Sequence, residues 1–297
     1  MDFIEELKNY SYAEILENEP MKKHNSFGVG GNCRYFAKVD SLYSLRVLID
    51  IAKKRRKKFK VIGNGSNLLF SDKGFDGIVV SLERLQDIFF ARNQVKVMAG
   101  ATITQMVDFC VNNKLSGIEN LVGIPATLGG AIVMNAGAFG NNISDYLTTV
   151  QTLKNGKMVL YDKKDCKFGY RTSKFLNSKE VVVCANFSFV PSERNVILNS
   201  IKNNLEKRKL LQPIGRTFGS VFRNPTGQYA GSLIEKCGLK GFAIGGACIS
   251  TKHANFIVNT KNATAEDVKS IIEVVKKKVL EKFNILLIEE VEYVGEF

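Results

Sequence analysis

The sequence VIGNGSNLLF, residues 61–70, begins as an apolar strand and then changes abruptly to small polar residues. Glycine has no side chain, so it lets the backbone approach a ligand closely, and asparagine and serine add short hydrogen-bonding groups. Two further glycine-rich stretches accompany it, NSFGVGGN (25–32) and GIPATLGGAIVMNAGAFG (123–140). Backbone N–H groups exposed in such loops form concave sites that suit a pyrophosphate. The three stretches therefore predict a site for a phosphate-bearing ligand.

Neither common nucleotide-binding fingerprint fits these glycines. GNGSNL (63–68) lacks the third glycine of the Rossmann motif, and the residues after it do not have a helical pattern. No glycine-rich loop is followed by Gly-Lys-Ser/Thr, which excludes a P-loop. The ordinary alternative is three tight turns, but 123–140 is too rich in glycine and alanine for turns alone.

The charge balance favours anionic partners. The 297 residues carry 42 Lys+Arg against 29 Asp+Glu, a formal net charge of +13, which suits nucleic acid or phosphorylated small molecules. The basic runs 53–58 and 276–278 lie at the end or on the polar side of expected helices, without interleaved aromatic residues. We therefore interpret them as solvated helix surface and expect neither a nucleic-acid partner nor an obligate protein partner.

Cysteine and histidine usage limits the chemistry. The six cysteines include no CxxC pair, which predicts free thiols in a reducing compartment. The two histidines, His24 and His253, argue against a multi-histidine metal centre and a Ser-His-Asp hydrolase, so no metal is expected. The acidic start MDFIEELKNY is not a signal peptide, and no apolar run reaches about 18 residues. We expect a cytoplasmic protein without a membrane span.

The pattern of apolar residues predicts an α+β chain with a break near 192–212. In the first half short strands alternate with helices, and Asn155-Gly156 indicates a hairpin. The expected strands are YFAKV (35–39), KFKVIG (58–63), GIVVSL (77–82), QVKVMAG (94–100) and VVVCANFSFV (181–190), and the helices lie around 41–55 and 102–115.

In the second half we expect a polar helix from Glu193 to about Leu211 and an amphipathic helix over 265–282. Thr264 and Asp267 form a possible capping box for the latter. A final strand, ILLIEEVEYV (285–294), would place Glu290 and Glu292 on one face and Glu289 on the other.

An ordered set of motifs resembles the UDP-N-acetylenolpyruvoylglucosamine reductase family of bacterial peptidoglycan synthesis. The set covers about Lys23 to Gly295 and comprises NSFGVGG, VIGNGSNLL, GIPATLGGAIVMNAGAFG, FGYRTSKF, GSVFRNP, AGSLIEKCGLKG and LIEEV. The resemblance implies a vanillyl-alcohol-oxidase (PCMH)-type FAD-binding domain followed by an α+β substrate-binding domain. The implied ranges are an N-terminal helical extension (1–21), the FAD-binding domain (22–191, with subdomains divided near 85) and the substrate-binding domain (192–297). The length fits the shorter class of the family, which lacks an extra substrate-covering loop.

The resemblance also implies two redox partners, FAD and NADPH. In related oxidases a histidine that links covalently to the flavin follows the first glycine pair, and Asn32 stands at that place here, so FAD should be non-covalent. Departures from the family pattern are Ser26, Ala126-Thr127 and Asn284. The matching FAD-binding positions are Gly63, Asn64, Gly65, Ser66, Asn67, Leu68, Gly123, Ile124, Pro125, Thr127, Gly130, Ala131, Asn135, Gly137 and Ala138.

For the substrate, UDP-N-acetylglucosamine enolpyruvate, the resemblance implies three catalytic residues. Arg171 would bind the carboxylate and stabilise developing charge, Glu290 would lie against the same carboxylate, and Ser220 would donate a proton to carbon. Taken alone, these residues could be a surface charge, an exposed strand position and a turn residue. Softer expectations for substrate contacts are Tyr170, Arg223 and Asn224.

Two other functions stay open at this point. A flavin oxidase of the same fold could act on a hydroxylated substrate, although GSVFRNP and LIEEV belong to the reductase pattern. A basic nucleic-acid-binding protein is the alternative from another class. Flavin absorbance of the purified protein would separate the latter from both enzymes.

Overall fold

The structure, a computed structural model, describes residues 2–91 and 94–297. The helices are α1 (Phe3–Tyr10), α2 (Leu42–Lys54), α3 (Ile103–Asn112), α4 (Leu128–Met134), α5 (Arg194–Leu211), α6 (Ala230–Lys236) and α7 (Ala265–Phe283). The strands of the first half are β1 (Glu14–Pro20), β2 (Asn32–Lys38), β3 (Phe59–Ile62), β4 (Leu68–Phe70), β5 (Phe75–Ser81), β6 (Ile88–Ala91), β7 (Gln94–Met98), β8 (Leu115–Ser116), β9 (Gly137–Ala138) and β10 (Asn141–Asn142). The remaining strands are β11 (Leu147–Lys154), β12 (Lys157–Asp162), β13 (Val181–Phe187), β14 (Val190–Pro191), β15 (Thr217–Ser220), β16 (Ala243–Ile244), β17 (Ala247–Ile249), β18 (Phe256–Asn259) and β19 (Glu292–Val294).

The chain forms two compact units, and each contains separate stretches of sequence. Unit 1 comprises the described residues of 1–17, 35–64 and 77–207. Unit 2 comprises residues 18–34, 65–76 and 208–297. The linear ranges 1–21, 22–191 and 192–297 stay a prediction about domains. The first range begins at Met1, which lies outside the described residues, and it contains strand β1 as well as helix α1.

Unit 1 is built partly on a five-stranded antiparallel sheet in the order β12-β11-β13-β7-β6. The predicted hairpin is confirmed: β11 and β12 pair up to Lys154↔Lys157, and the two turn residues Asn155 and Gly156 both have positive φ, 48° and 74°. Such φ values are typical of the two-residue turns that match the twist of a hairpin. A core of buried side chains, including Ile103, Leu128 and Ile132, joins this sheet to α3 and α4.

A second core in unit 1 packs α1 and α2 against strand residues such as Ile78 and Val80. Helix α2 confirms the prediction for 41–55. It begins where the Ser41 hydroxyl accepts a hydrogen bond from the Ser44 N–H (3.1 Å), and Leu45, Leu48, Ile49 and Ala52 form its buried stripe. The basic run 53–58 at its end is exposed throughout.

Unit 2 contains the antiparallel sheet β15-β18-β17-β16 and the helices α6 and α7. The capping box of α7 is confirmed, because the Thr264 hydroxyl accepts from the Asp267 N–H (3.0 Å) and the Asp267 carboxylate accepts from the Thr264 N–H (2.9 Å). The buried residues Val268, Ile271, Ile272, Val275 and Val279 face the unit's core. Asn284 ends the helix with φ 54°, a left-handed conformation that asparagine tolerates better than most residues.

The predicted strand over 285–294 is wrong in its extent. Only β19 is a strand, preceded by a single bridge between Phe222 and Glu289. The segment changes partner: the Glu290 N–H donates to the Val221 carbonyl (2.8 Å), whereas the Glu292 N–H donates to the Asn67 carbonyl (3.0 Å). Because the segment is not one continuous strand, the predicted alternation of Glu289, Glu290 and Glu292 between two strand faces does not apply.

The predicted strand over 181–190 is also shorter than expected. Strand β13 ends at Phe187, and the next N–H, that of Ser188, donates to the Tyr146 carbonyl (2.9 Å). The following residues, in β14, pair with β8. The chain thus leaves the sheet where its hydrogen-bond partner changes.

The six cysteines are thiols in this structure, four of them buried and two half-buried. Burial raises the pKa of the Cys110 thiol to about 12 and that of Cys166 to about 11. In residues 2–91 and 94–297, the helices are all too short or too polar to cross a membrane.

Candidate active site

In unit 1, the end of β3 meets the segment 125–127. The Asn64 side-chain amide donates to the Pro125 carbonyl (3.4 Å), and a Cβ atom on Gly63 would collide with the Thr127 hydroxyl. A backbone hydrogen bond also holds this segment, in which the Ile103 N–H donates to the Ala126 carbonyl (3.0 Å). The glycine at position 63 is therefore required for this close approach.

Thr127 precedes helix α4 but its hydroxyl caps none of the helix N–H groups. Thr127 is 2% exposed, and its hydroxyl oxygen lies beside Gly63 and 3.8 Å from the place of a Cβ built on Gly130. Ile124, Ala131 and the left-handed Gly123 (φ 80°) belong to the same turn and helix. The Thr127 hydroxyl therefore lies close to the glycine backbone at Gly63 and Gly130 and does not cap the helix.

Asn135 ends α4 in a left-handed conformation, with φ 44°. Its side-chain amide donates to the Gly169 carbonyl (2.9 Å), and the residue is 4% exposed. Its buried Oδ1 atom has no hydrogen-bond partner among the described residues. An unsatisfied buried acceptor costs about 1–3 kcal/mol, so this atom indicates a place where a ligand donates a hydrogen bond.

Arg171 lies in the turn between Gly169 and Thr172, which form a bridge. Its φ of 52° is left-handed, which is uncommon for arginine. One guanidinium nitrogen, Nη2, donates to the Gly137 carbonyl (2.8 Å), and the guanidinium carbon lies 5.3 Å from the ring centroid of the exposed Tyr170. A Cβ on Gly137 would collide with the Asn142 side-chain oxygen and lie 2.7 Å from the Asn141 carbonyl and 3.1 Å from Arg171 Nη1, so the glycine at 137, next to Ala138, is required mainly by its close pairing with residues 141–142.

In unit 2, Asn67, Ser220 and Glu290 are brought together by backbone contacts. The Asn67 side-chain amide donates to the Glu290 carbonyl (2.7 Å), and the Glu290 N–H donates to the carbonyl of Val221, next to Ser220. Ser220 ends β15 after a register shift at Gly219, whose φ is 83°. Within the part of the chain that the structure describes, the half-buried Ser220 hydroxyl makes no hydrogen bond.

The loop 65–67 precedes Leu68 in unit 2. Gly65 has φ 62°, and a Cβ there would collide with the His24 carbonyl. The Leu68 N–H donates back to the Gly65 carbonyl (3.3 Å), and for Ser66 and Asn67 the described residues provide no acceptor for the backbone N–H. Successive N–H groups of this kind suit an anion.

Arg223 and Asn224 follow Ser220. The Arg223 Nε atom is buried and has no hydrogen-bond partner among residues 2–91 and 94–297. The Asn224 side-chain oxygen accepts from the Ala230 N–H (3.0 Å), so part of its amide supports the start of α6. An unsatisfied buried guanidinium N–H indicates an anionic or strongly accepting ligand group.

Asn255 is a supporting residue whose role the sequence did not predict. Its motif, KHANFIVN (252–259), is equally consistent with a packed loop. It is 3% exposed, and its amide bonds both the Phe222 N–H (2.9 Å) and the Phe222 carbonyl (2.8 Å). Burial lowers the pKa of the neighbouring His253, whose Nδ1 accepts from the Asn255 N–H (3.2 Å). The pattern KHANFIVN alone carries no signal for a side chain that pairs with a distant backbone.

The structure thus groups the predicted residues within each unit. In unit 1, Gly63 and Asn64 meet Pro125 and Thr127, and Asn135 and Gly137 meet the turn that bears Tyr170 and Arg171. In unit 2, the backbone of Glu290 bonds the side chain of Asn67 and the carbonyl of Val221, the residue after Ser220. A cavity of about 440 Å³ in unit 1 contains none of the predicted residues and is lined by side chains of α5 with Asn120 and Phe139. In the described residues, no three His, Cys, Asp or Glu side chains are grouped to hold a metal.

Two families match the chain. Residues 33–160 match the family described as FAD binding domain, and residues 211–294 match the C-terminal domain of UDP-N-acetylenolpyruvoylglucosamine reductase. The chain is 40% identical over 286 residues to the UDP-N-acetylenolpyruvoylglucosamine reductase of Caldanaerobacter subterraneus subsp. tengcongensis, covering 96% of this chain and 95% of that protein.

Solved structures show the same likeness. The crystal structure of the reductase (MurB) from Thermus caldophilus matches with 32% identity and a TM-score of 0.81, covering 95% of this chain and 99% of the other. Physcomitrella patens BBE-like 1 matches with 16% identity and a TM-score of 0.52 over 64% of this chain and 45% of the other, a likeness of fold alone.

Proposed function

Because the chain belongs to the UDP-N-acetylenolpyruvoylglucosamine reductase family, we propose that it reduces UDP-N-acetylglucosamine enolpyruvate to UDP-N-acetylmuramate with NADPH. Membership makes it an FAD-dependent oxidoreductase of peptidoglycan synthesis with an α+β fold, a PCMH-type FAD-binding domain followed by the family's C-terminal domain. The observation that carries the proposal is the match at both ends of the chain, because 211–294 includes GSVFRNP and LIEEV.

We propose that two sets of residues hold FAD. The first set comprises Gly63, Asn64, Gly123, Ile124, Pro125, Thr127, Gly130, Ala131, Asn135, Gly137 and Ala138, and the second comprises Gly65, Ser66, Asn67 and Leu68. The fit is supported by the unsatisfied Asn135 Oδ1, the open backbone at Gly130 and the N–H groups of Ser66 and Asn67. When bound, FAD supplies the hydride chemistry between NADPH and the terminal vinyl carbon of the substrate.

The FAD should be held without a covalent bond. Asn32 stands where a linking histidine would be, and its side-chain amide donates to the Asn18 side-chain oxygen (3.1 Å). A carboxamide is not a nucleophile that could attach to a flavin ring. The protein's contribution is therefore binding and orientation by the loops.

Arg171 is the proposed site for the substrate carboxylate. Hydride addition to the vinyl carbon pushes electron density onto that carboxylate, giving an enolate-like intermediate that needs fixed positive charge. The planar guanidinium can bind two oxygens at once, and its bond to the Gly137 carbonyl fixes its orientation before substrate arrives. The glycine at 137 leaves room for this geometry.

Ser220 and Glu290 have the remaining proposed roles. Ser220 donates a proton to the carbon next to the one that receives the hydride. This role is supported by the Ser220 hydroxyl, which makes no hydrogen bond within the described residues. Glu290 lies against the substrate carboxylate, where a carboxyl group helps only as a neutral acid or when paired with a cation. The backbone of Glu290 is held by Asn67 and Val221, so its side chain starts from a fixed position.

The UDP moiety requires groups that bind phosphate and sugar. Arg223, with its buried unsatisfied Nε, is the proposed diphosphate contact, and Asn224 and Tyr170 are further proposed contacts. The hydrogen bond from the Ala230 N–H to the Asn224 side-chain oxygen restrains the orientation of that amide.

The decisive experiment is an assay of NADPH oxidation by the FAD-loaded protein with and without UDP-N-acetylglucosamine enolpyruvate. We expect oxidation to depend on the ether and the product to gain two hydrogen atoms by mass spectrometry, with NADH tested in parallel. Oxidation that ignores the ether, or oxidation of a hydroxylated substrate instead, would contradict the proposal.

A further inference from the structure

A short hairpin in unit 1 carries the carbonyl that binds Arg171. Strands β9 and β10 pair as Gly137↔Asn142 and Ala138↔Asn141. The two turn residues, Phe139 (φ 51°) and Gly140 (φ 89°), are both left-handed. Because Arg171 Nη2 donates to the Gly137 carbonyl (2.8 Å), the position of this hairpin contributes to the direction of the guanidinium.

Asn120 holds the turn of this hairpin. Its side-chain nitrogen donates to the Phe139 carbonyl (3.1 Å) and to the Asn141 side-chain oxygen. Both amide hydrogens of Asn120 are thus used inside the hairpin. On the other side, the Asp145 carboxylate accepts from the Asn142 N–H (2.9 Å) and from the Asn141 amide (3.2 Å), which gives the hairpin a second anchor.

Asn204 of helix α5 fixes the orientation of Asn120. The Asn204 side-chain nitrogen donates to the Asn120 side-chain oxygen (3.0 Å) and to the Glu119 carbonyl (3.2 Å). A carboxamide has donors at one end and an acceptor at the other. Asn204, which is only 5% exposed, therefore decides that Asn120 turns its donors toward the hairpin.

We propose that Asn204 and Asn120 are positioning residues for Arg171, acting through the hairpin of residues 137–142. The inference rests on the proposed catalytic role of Arg171. When Asn204 cannot donate, the Asn120 amide loses its fixed orientation, the turn at Phe139 loses its anchor, and the Gly137 carbonyl no longer fixes the guanidinium. Gly137 and Ala138 are also proposed FAD positions, so the proposal concerns the difference between the half-reactions: reoxidation, which needs Arg171, slows more than reduction by NADPH.

The test uses the FAD-loaded Asn204→Asp variant, with Asn203→Asp as the matched control. The carboxylate of the first variant has the same shape as the amide but no donor, so it repels the Asn120 oxygen. Asn203 lies next to Asn204 on α5, is exposed, and receives the same change in charge. We expect Asn204→Asp to slow reoxidation by the enolpyruvyl ether about tenfold to a hundredfold more than it slows reduction by NADPH, both measured on FAD-loaded protein; equal slowing of the two half-reactions would contradict the proposal. Asn203→Asp should behave as the parent.

A second readout follows the guanidinium itself. Arginine side-chain ¹⁵N NMR reports rotation about the Nε–Cζ bond, and the Arg171 signal is assigned by its loss in Arg171→Lys. Faster rotation in Asn204→Asp than in the parent and in Asn203→Asp supports the proposal, and unchanged rotation overturns it. If Arg171→Lys leaves reoxidation normal, the catalytic role fails, yet the NMR comparison still decides the hydrogen-bond chain. If Asn204→Asp does not fold, Asn120→Asp is used instead. It removes both Asn120 N–H donors that bond the hairpin, and the same outcomes apply.

Discussion

At the scale of the residue, Ser220 lies where the backbone of β15 departs from a regular strand. The left-handed Gly219 and the register shift beside it place Ser220 opposite Phe256, with its hydroxyl half-buried and the next carbonyl bonded to Glu290. Removing one oxygen there leaves this backbone pattern intact. The proposed proton donor can therefore be deleted without disturbing the fold.

We predict that Ser220→Ala separates the two halves of the catalytic cycle. Reduction of FAD by NADPH needs no proton on a substrate carbon, so rapid mixing should show nearly normal loss of flavin absorbance. Reoxidation by the enolpyruvyl ether should slow by a factor on the order of 10² or more, as for loss of a positioned acid. Equal slowing of both halves would indicate a damaged flavin site, and unaffected reoxidation would remove Ser220 from the chemistry.

We predict that Arg171→Lys lowers turnover far more than it raises the Michaelis constant for the ether. Lysine keeps the charge but loses the planar fork, in which one pair of N–H groups matches two carboxylate oxygens while another N–H bonds the Gly137 carbonyl. Steady-state kinetics with the ether varied give the two constants. A variant with near-normal turnover and a raised Michaelis constant would assign Arg171 to ground-state binding.

The family motifs predicted Arg171, but its left-handed backbone could not be predicted. Arginine has no preference for that conformation. It occurs beside two tertiary contacts, the bond from the Arg171 guanidinium to the Gly137 carbonyl and the bond from the Asn135 side chain to the Gly169 carbonyl. The unsatisfied oxygen of Asn135 is likewise a property of its surroundings and not of the residue type.

At the scale of the element, helix α7 depends on a reciprocal cap between Thr264 and Asp267. We predict that Thr264→Ala lowers the free energy of unfolding by about 1 kcal/mol, because one N–H of the first turn loses its acceptor. Urea denaturation at neutral pH measures this, and Thr226→Ala, an exposed threonine in unit 2, is the control. A loss equal to that of the control would show that the cap contributes nothing.

The pH dependence gives a second check of the same cap. Burial alone would raise the pKa of Asp267, but hydrogen bonds from the Thr264 and Gly246 N–H groups and the Thr264 hydroxyl outweigh it and hold the pKa below its usual value. A carboxyl whose pKa is lowered by folding stabilises the fold above its unfolded pKa of about 3.9. The difference in stability between the parent and Asp267→Asn should therefore shrink as pH falls below about 4.

Local elements were the most predictable. The hairpin at Asn155-Gly156 and the cap of α7 are set by residues within a few positions of each other, so their patterns suffice. The predicted strand over 285–294 was too long because its hydrogen-bond partners are distant in the chain. Glu290 bonds Val221, whereas Glu292 bonds Asn67. Apolar alternation reports exposure, and it contains no information about such an exchange of partners.

At the scale of the whole molecule, the protein should purify as a yellow flavoprotein. We predict that acid precipitation releases all FAD into the supernatant, because Asn32 offers no group for a covalent link. Absorbance of the supernatant and of the redissolved pellet measures the two fractions. Flavin that stays with the denatured chain would contradict the non-covalent site, and a colourless protein that FAD cannot reconstitute would contradict the assignment itself.

The parallel pairing of β4 with β19 has a consequence for how the protein is made. Leu68 pairs with Glu292 and Phe70 with Val294, so β4 must wait for 224 further residues before its partner exists. At a synthesis rate of about 5–20 residues per second, the wait is roughly 10 to 45 s. During that time Leu69 and Phe70, both fully buried in the finished protein, belong to a strand without its neighbour. Unit 2 can therefore be completed only after translation has passed residue 294.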